Sequence, residues 1–172
     1  MRAPLDAERL TAFLTELGNA RTAARVYLTG GATAILEGWR SSTIDIDLRI
    51  EPDDDAVLRL LPELKERLDV NVELASPPDF IPELPGWRDR SPYVGRFGSL
   101  DVHHFDPYSQ ALAKIERGFD HDLADVREMI ARGLVEPRRA LALFDEIEPA
   151  LYRYPAIDPA DFARRAREAL AS

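Results

Sequence analysis

The apolar residues of the chain follow two periods, and each period predicts a different kind of element. Strict alternation from Thr43 to Ile50 places isoleucine and leucine on one face and charged residues on the other, which predicts a half-buried strand whose apolar face meets the core. Other β-rich runs predict strands at residues 26–29, 70–74, 93–97 and 100–105. Helical spacing predicts helices at residues 6–17, 32–37, 53–68, 107–117, 120–132, 137–152 and 158–169.

The order of these elements predicts the fold class. Strands and helices mix over the first two thirds of the chain and the last third is helical, so we expect an α/β (α+β) fold. Its small mixed sheet would be flanked by helices and followed by a C-terminal helical region. The chain has 172 residues, which suits one domain. We expect an α/β domain over residues 1–135 and a helical extension over residues 136–172 that packs on it rather than folding alone.

Composition narrows the classes of protein to consider. The chain has 22 Lys plus Arg against 31 Asp plus Glu and a net charge of -9, which argues against holding long nucleic acid by charge alone. It has no cysteine, which excludes disulfides, thiolate zinc sites and cysteine nucleophiles. No apolar run approaches the roughly 20 residues that cross a bilayer. We therefore expect a cytoplasmic protein without a membrane partner.

Asp45 and Asp47 are the strongest chemical signal in the sequence. Aspartate is among the poorest strand formers, yet these two lie on one face of an otherwise favourable strand. Because residues two apart on a strand are separated by about 7 Å, their carboxylates can converge on one divalent cation. Oxygen ligands favour Mg²⁺ or Mn²⁺ over Zn²⁺. The alternative is a solvated sheet face on which the neighbouring Arg49 forms a salt bridge.

Gly30 and Gly31 lie upstream of this pair, between a predicted strand and a short predicted helix. A glycine pair at such a place lets backbone amides approach a phosphate. A tight turn without a ligand is the alternative, because no complete P-loop or dinucleotide motif surrounds the pair. Glycines and carboxylates together would supply the two things that a nucleoside triphosphate needs, a phosphate cradle and a cation.

These motifs resemble a known signature. The stretch Leu28-Thr29-Gly30-Gly31, followed by Arg40-Ser41-Ser42-Thr43-Ile44-Asp45-Ile46-Asp47, is similar to that of the nucleotidyltransferase (polymerase-β-like) superfamily. The closest similarity is to small standalone bacterial members, including the AbiEii-type toxins of toxin–antitoxin pairs. The resemblance implies a nucleotidyltransferase-like sheet, Mg²⁺ on Asp45 and Asp47, a triphosphate contact at Gly30 and Gly31, and a site lined by Arg40, Ser42 and Thr43.

A second segment resembles a downstream helical motif of the same branch. It reads Lys114-Ile115-Glu116-Arg117, then Asp122-Leu123-Ala124-Asp125. The resemblance implies that Lys114 contacts a phosphate and that Asp122 is an acid near the nucleotide or acceptor, with Arg117 also on the nucleotide. Lys114 and Arg117 are three residues apart and share a helix face, which is compatible with these roles. An exposed, charged helix surface is the alternative.

A third carboxylate on a neighbouring strand completes the site in many superfamily members, where it can deprotonate the attacking hydroxyl. Asp101, in the predicted strand at residues 100–105, is the candidate. A strand-end or turn aspartate without a catalytic role is the alternative. The adjacent His103 and His104 point to opposite faces of a strand, so we expect one at the surface and the other packed or hydrogen-bonded.

The resemblance implies a magnesium-dependent enzyme that moves a nucleoside monophosphate from an NTP to a hydroxyl acceptor. The acceptor would be an RNA 3′ end, such as that of a tRNA, or a protein. As the toxin of a toxin–antitoxin pair the chain would also bind a cognate antitoxin. Two other hypotheses remain open. One is a catalytically silent nucleotide-binding or partner-binding module of the same fold. The other is an antitoxin-like or scaffold role in which the helical tail and the loop around Trp87 contact a partner.

Overall fold

The protein was examined as a computed structural model that describes residues 2–19, 23–53 and 55–171. Its chain forms two compact units, Met1–Ser76 with Ser91–His104, and Pro77–Arg90 with Phe105–Ser172. Strands and helices mix in the first unit, whereas the second is helical. The predicted α/β (α+β) class with a small mixed sheet is confirmed.

The first unit is built on a sheet with the strand order β3-β2-β1-β5-β4. Its strands are β1 (Ala24–Thr29), β2 (Asp45–Glu51), β3 (Asn71–Glu73), β4 (Tyr93–Phe97) and β5 (Leu100–His104). β1 pairs antiparallel with β2 and parallel with β5, β2 pairs parallel with β3, and β4 pairs antiparallel with β5. The sheet is therefore mixed, and β1 occupies its centre.

The helices of this unit supply the other side of its core. They are α1 (Ala7–Gly18), α2 (Gly31–Glu37) and α3 (Asp55–Arg67); residue 54, within the predicted helix at 53–68, lies outside the described residues. Helical spacing brings Leu10, Phe13, Leu14 and Leu17 of α1 to one buried face. The Asp6 carboxylate accepts a hydrogen bond from the Arg9 amide and caps the start of α1.

The alternation on β2 separates its faces as predicted, with one exception. Ile46, Leu48 and Ile50 are buried in the core, and the charged residues between them are partly exposed. Ile44, which the alternation placed on the buried face, is 57% exposed. The strand begins only at Asp45, so the side chain of Ile44 is not held in the period-2 arrangement.

The second unit begins with Pro77–Arg90, a proline-rich segment that contains a 3₁₀ turn at Pro77–Asp79. It continues with α4 (Pro107–Arg117), α5 (Asp120–Ala131), α6 (Pro137–Ile147), a 3₁₀ segment at Glu148–Arg153 and α7 (Pro159–Ala169). Three of these helices start with an acidic cap followed by proline, a sequence that favours helix initiation. The caps are Asp106, Glu136 and Asp158.

Trp87 is a core residue of the second unit. Its side chain is only 2% exposed, and its indole stacks on Phe105 with ring centroids 4.2 Å apart. The indole N–H donates to the Glu83 carboxylate. Nearby, the buried Asp106 carboxylate forms an ion pair with Arg90 at 2.8 Å. The proline-rich segment is thus fixed by aromatic stacking and a buried charge pair.

The two units divide the chain differently from the predicted boundary between residues 135 and 136, which lies within the second unit. The chain leaves the first unit after Ser76, returns at Ser91 to add β4 and β5, and leaves again after His104. Over the described residues, no helix combines the length and the apolar character that crossing a membrane requires.

A buried histidine joins α2 to the sheet. His104, at the end of β5, is 5% exposed, and its Nδ1 lies 3.0 Å from the Thr33 hydroxyl, while its Nε2 lies 3.2 Å from Glu37 Oε1. Burial lowers the pKa of His104 to about 4, and the nearby His103 adds to this effect. A neutral ring satisfies both contacts, because Nε2–H can donate to the carboxylate while Nδ1 accepts from the hydroxyl.

The low pKa of His104 makes stability depend on pH. Between pH 6.5 and about 4 the unfolded chain binds a proton that the folded protein does not, so stability is fully present above pH 6.5 and falls as the pH is lowered. The shift corresponds to about 3 kcal/mol. We expect urea titrations at pH 7 and pH 4.5 to show a smaller pH-dependent loss for His104→Gln than for the wild type. Equal losses would contradict the assignment.

Candidate functional site

The Gly30-Gly31 turn leads from β1 into α2 in a conformation that requires glycine. Gly30 has φ +64° and ψ -130°, a region that side chains disfavour strongly. A Cβ atom on Gly30 would lie 3.3 Å from Asp47 Oδ2. The predicted glycine pair is therefore a turn that only glycine adopts without strain, and it lies directly beside the second predicted carboxylate.

Thr43 holds the start of β2 against the same turn. Its backbone exchanges two hydrogen bonds with Leu5, at 2.7 and 2.9 Å. A Cβ atom on Gly31 would lie only 2.1 Å from Thr43 Oγ1, a separation that no real contact allows. Gly31 is thus required by the close approach of two chain segments, and Thr43 lies at the glycine turn.

Asp45 and Asp47 stand on the same face of β2 and are partly exposed. Asp47 pairs across the antiparallel ladder with Thr29, the last residue of β1 before the glycine turn. One oxygen of its carboxylate, Oδ1, is buried, and the other faces Gly30. The structure thus brings together four of the predicted site residues: Gly30, Gly31, Thr43 and Asp47, with Asp45 two positions away on the same face.

These residues fit a hard divalent cation by the chemistry of their donors. Asp45 and Asp47 offer carboxylate oxygens, and Asp47 Oδ2 lies beside the Gly30 turn. Within the described residues no group of three or more His, Cys, Asp or Glu side chains is arranged to hold a metal. Mg²⁺ does not require such a group, because it is usually bound by one or two carboxylates, waters and substrate phosphates.

Asp101 does not lie with this pair, which corrects its prediction as the third carboxylate of the site. Asp101 pairs with Arg25 on β1, whereas Asp47 pairs with Thr29, four residues further along the same strand. That offset is about 13 Å along the strand. The Asp101 carboxylate is 3.6 Å from Arg96 and accepts a hydrogen bond from the Tyr93 hydroxyl. It belongs to a polar cluster at the other end of the sheet.

Glu73 on β3 lies beside this pair, and it was not singled out from the sequence. In the parallel pairing of β2 with β3, Glu73 lies opposite Asp47 and Asn71 opposite Asp45. Adjacent strands are about 4.8 Å apart, and residues in register share a face of the sheet. The signal was present in the sequence, because a helix between two strands predicts a crossover that places the second strand parallel to the first.

Arg40 and Ser42 lie in the loop between α2 and β2. The Arg40 amide donates to the Ala34 carbonyl at 3.3 Å, after Gly38 has ended the helix in the left-handed conformation. Arg40 is partly exposed and Ser42 is exposed. Both therefore lie in the short connection that joins the glycine turn's helix to the aspartate strand.

In the second unit, Lys114 and Arg117 of α4 form ion pairs with α5. Lys114 Nζ lies 2.8 Å from Asp125 Oδ2, and both side chains are largely buried. Arg117 binds both oxygens of the Asp122 carboxylate, at 2.8 and 2.5 Å. The motif predicted from the resemblance thus joins two helices through two ion pairs, and Asp122 also accepts from the Phe119 amide at the start of α5.

The Asp122 carboxyl is held ionised. Burial raises its pKa. The hydrogen bond and charge of Arg117, with the charges of Lys114 and His121, lower it by more, so the net pKa lies below its usual 3.8. A carboxylate held in this way is a hydrogen-bond acceptor rather than a proton donor.

Gly31→Ala should destabilise the protein, because the added methyl meets Thr43. Overpacking of this kind costs about 1–3 kcal/mol. We expect a lower urea midpoint for Gly31→Ala and partial recovery in the Gly31→Ala, Thr43→Gly double variant. Gly95→Ala is the matched control, since its Cβ would meet only Phe97 at 3.7 Å. Unchanged stability of Gly31→Ala would contradict the close approach.

Asp122→Asn should destabilise the second unit by about 1–3 kcal/mol, because charge-assisted hydrogen bonds to Arg117 are lost from a fully buried side chain. Since the folded pKa is lowered, the contribution is present above pH 3.8 and is lost as the pH falls through the folded value. Urea unfolding at pH 7 measures it, with Asp120→Asn at the exposed first position of α5 as the control. Equal small effects of both variants would contradict a structural role.

Comparison with solved structures supports the fold. A crystal structure of an antigenic nucleotidyltransferase-like protein from Paracoccidioides brasiliensis is similar, with a TM-score of 0.50 and 19% sequence identity. The match covers 88% of this chain and 94% of that one. Comparison with curated proteins gave no significant match.

A family model matches most of the chain. Residues 7–152 match the family described as "Nucleotidyltransferase of unknown function (DUF6036)". The matched range contains the glycine turn, Asp45, Asp47 and Glu73, together with the Lys114–Asp125 motif. The chain therefore belongs to this nucleotidyltransferase family.

Proposed function

We propose that the protein is a magnesium-dependent nucleotidyltransferase that moves a nucleoside monophosphate from an NTP to a hydroxyl acceptor. One observation carries the proposal. Gly30 adopts a conformation that side chains disfavour, and this places the turn against the Asp47 carboxylate. A Cβ atom on residue 30 would lie 3.3 Å from Asp47 Oδ2. A side chain at residue 30 would fill the space where a phosphate and its cation would meet the carboxylate.

Each residue has a defined task in this reaction. The turn at Gly30 and Gly31 would present backbone to the triphosphate, and Asp45 and Asp47 would hold Mg²⁺ through their carboxylate oxygens. When bound, the ion neutralises charge on the triphosphate and supports in-line attack at the α-phosphorus. The acceptor oxygen forms the new bond to the α-phosphorus, the bond to the β-phosphate oxygen breaks, and pyrophosphate leaves.

The proton of the acceptor hydroxyl needs a base. We assign this task to Glu73, which lies in register with Asp47 and is exposed. A carboxylate within hydrogen-bond reach of the acceptor would take the proton as the new bond forms. Asp101 is not assigned this task, because its carboxylate is engaged by Arg96 and Tyr93 at the other end of the sheet.

Lys114 remains a proposed phosphate contact. Its ammonium group would have to exchange the Asp125 carboxylate for a phosphate oxygen, since the two are 2.8 Å apart in the free protein.

The similarity of this segment to AbiEii-type toxins supports an RNA 3′ end or a protein hydroxyl as acceptor and a toxin role in a pair. Growth arrest on expression, abolished by Asp45→Asn, would support the toxin role.

The test is transfer of label from α-labelled NTPs, in the presence of Mg²⁺, to total RNA or to a protein lysate. We expect Asp45→Asn and Asp47→Asn to lose about 100-fold or more of the labelling rate, because the cation would be lost from the transition state. Asp101→Asn is the matched control on the same sheet and should retain the rate. The labelled fraction, RNA or protein, identifies the acceptor class.

Two results would contradict the proposal. Labelling that is unchanged in both aspartate variants would remove the assigned site. Binding of Mg²⁺ and NTP by calorimetry without pyrophosphate release, over all acceptors tried, would instead identify the protein as a nucleotide-binding module without turnover.

A further inference from the structure

The helix that follows the glycine turn is attached to the sheet by hydrogen bonds at both of its ends. We infer that His104 is a positioning residue that fixes α2, and through it the Gly30-Gly31 turn, for nucleotide binding. This inference rests on the proposed function, and it assigns to His104 no contact with substrate.

The geometry of the attachment is specific. Thr33 and Glu37 are four residues apart on α2 and therefore face the same way. His104 lies between them and uses one ring nitrogen for each, at 3.0 Å to the Thr33 hydroxyl and 3.2 Å to Glu37 Oε1. Thr33 Oγ1 also lies 3.3 Å from the Leu28 carbonyl on β1. In the neutral-ring arrangement the hydroxyl donates its one proton to His104 Nδ1 rather than to Leu28. The first turn of α2 and its last residue are thus both joined to β5.

This attachment reaches the glycine turn through a short, rigid path. Thr33 is three residues from Gly30, and the Gly30 carbonyl accepts the first helical hydrogen bond, from Ala34 at 3.1 Å. The turn has little freedom, because Gly31 is pressed against Thr43 and Gly30 lies beside Asp47. A small tilt of a seven-residue helix would therefore move the proposed phosphate cradle relative to the carboxylates.

The chemistry of the contact also favours positioning over packing alone. Val102 precedes His104 by two on the same face of β5, and this side chain is fully buried and apolar. An apolar residue at position 104 could fill the space. A buried histidine loses its hydration, and hydrogen bonds to its partners must offset that free-energy cost. Hydrogen bonds to two fixed partners define the orientation of a helix more closely than apolar contacts do.

The test measures the affinity of the whole protein for α,β-methylene ATP with Mg²⁺ by calorimetry, at a temperature where each variant is folded by circular dichroism. We expect His104→Leu to weaken binding about tenfold, since misplacement by about 1 Å or less is costly in a preorganised site. Thr33→Val should weaken binding in the same direction, and Thr33→Ser, which keeps the hydroxyl, should restore it. Thr33→Val keeps the shape of the side chain and serves if His104→Leu does not fold.

The control separates positioning from loss of stability. Val102→Ala removes buried volume from the same face of β5, but its side chain makes no hydrogen bond to α2, so it should lower the melting temperature without changing affinity. If His104→Leu binds the nucleotide with the affinity of the wild type, the inference is overturned and the proposed function is not. Thr33→Val gives the same test if His104→Leu does not fold. Absence of binding by the wild type would overturn the proposed function as well.

Discussion

The close approach of Gly31 to Thr43 is the constraint on which the site depends. It joins the start of α2 to the start of β2, two segments that the chain separates by a helix and a loop. Because a side chain at residue 31 would collide with the Thr43 side chain, the two segments can lie together in this way only with glycine there. Thr43 is in turn fixed by its paired hydrogen bonds with Leu5. The glycine turn and the aspartate strand are therefore held in one arrangement by the polypeptide itself, before any ligand binds.

This arrangement has an electrostatic cost that the fold offsets elsewhere. Asp45 and Asp47 repel each other on a strand that neither favours. The strand is retained because its opposite face, Ile46, Leu48 and Ile50, is buried in the core. Burial of such side chains contributes roughly 1.5–3 kcal/mol each, more than the modest propensity difference against aspartate. The apolar face thus stabilises the element whose polar face carries the proposed chemistry.

Much of this fold followed from the sequence, because its signals are local. Alternation identified β2, and helical spacing with an acidic cap identified α1. The position of Glu73 beside Asp47 was not predicted, because it depends on strand order as well as on the crossover helix between β2 and β3: β5 carries Asp101 beside β1, while β3 carries Glu73 beside β2. The two units were not predicted either: the prolines between residues 77 and 92 mark a break in the regular elements, but they do not show that residues 91–104 return to the sheet.

The ion pairs of the second unit change the meaning of the charged motif. A lysine and an arginine followed by two aspartates indicate a phosphate site by resemblance, yet Lys114 and Arg117 already neutralise Asp125 and Asp122 within the described chain. The side chains of Lys114 and Asp125 are both largely buried, and breaking a buried pair leaves an uncompensated charge. A phosphate that recruited Lys114 would therefore have to offset the loss of the Asp125 contact. The motif thus connects α4 to α5 through ion pairs. Lys114 or Arg117 could bind a nucleotide only after its ion pair with the aspartate breaks.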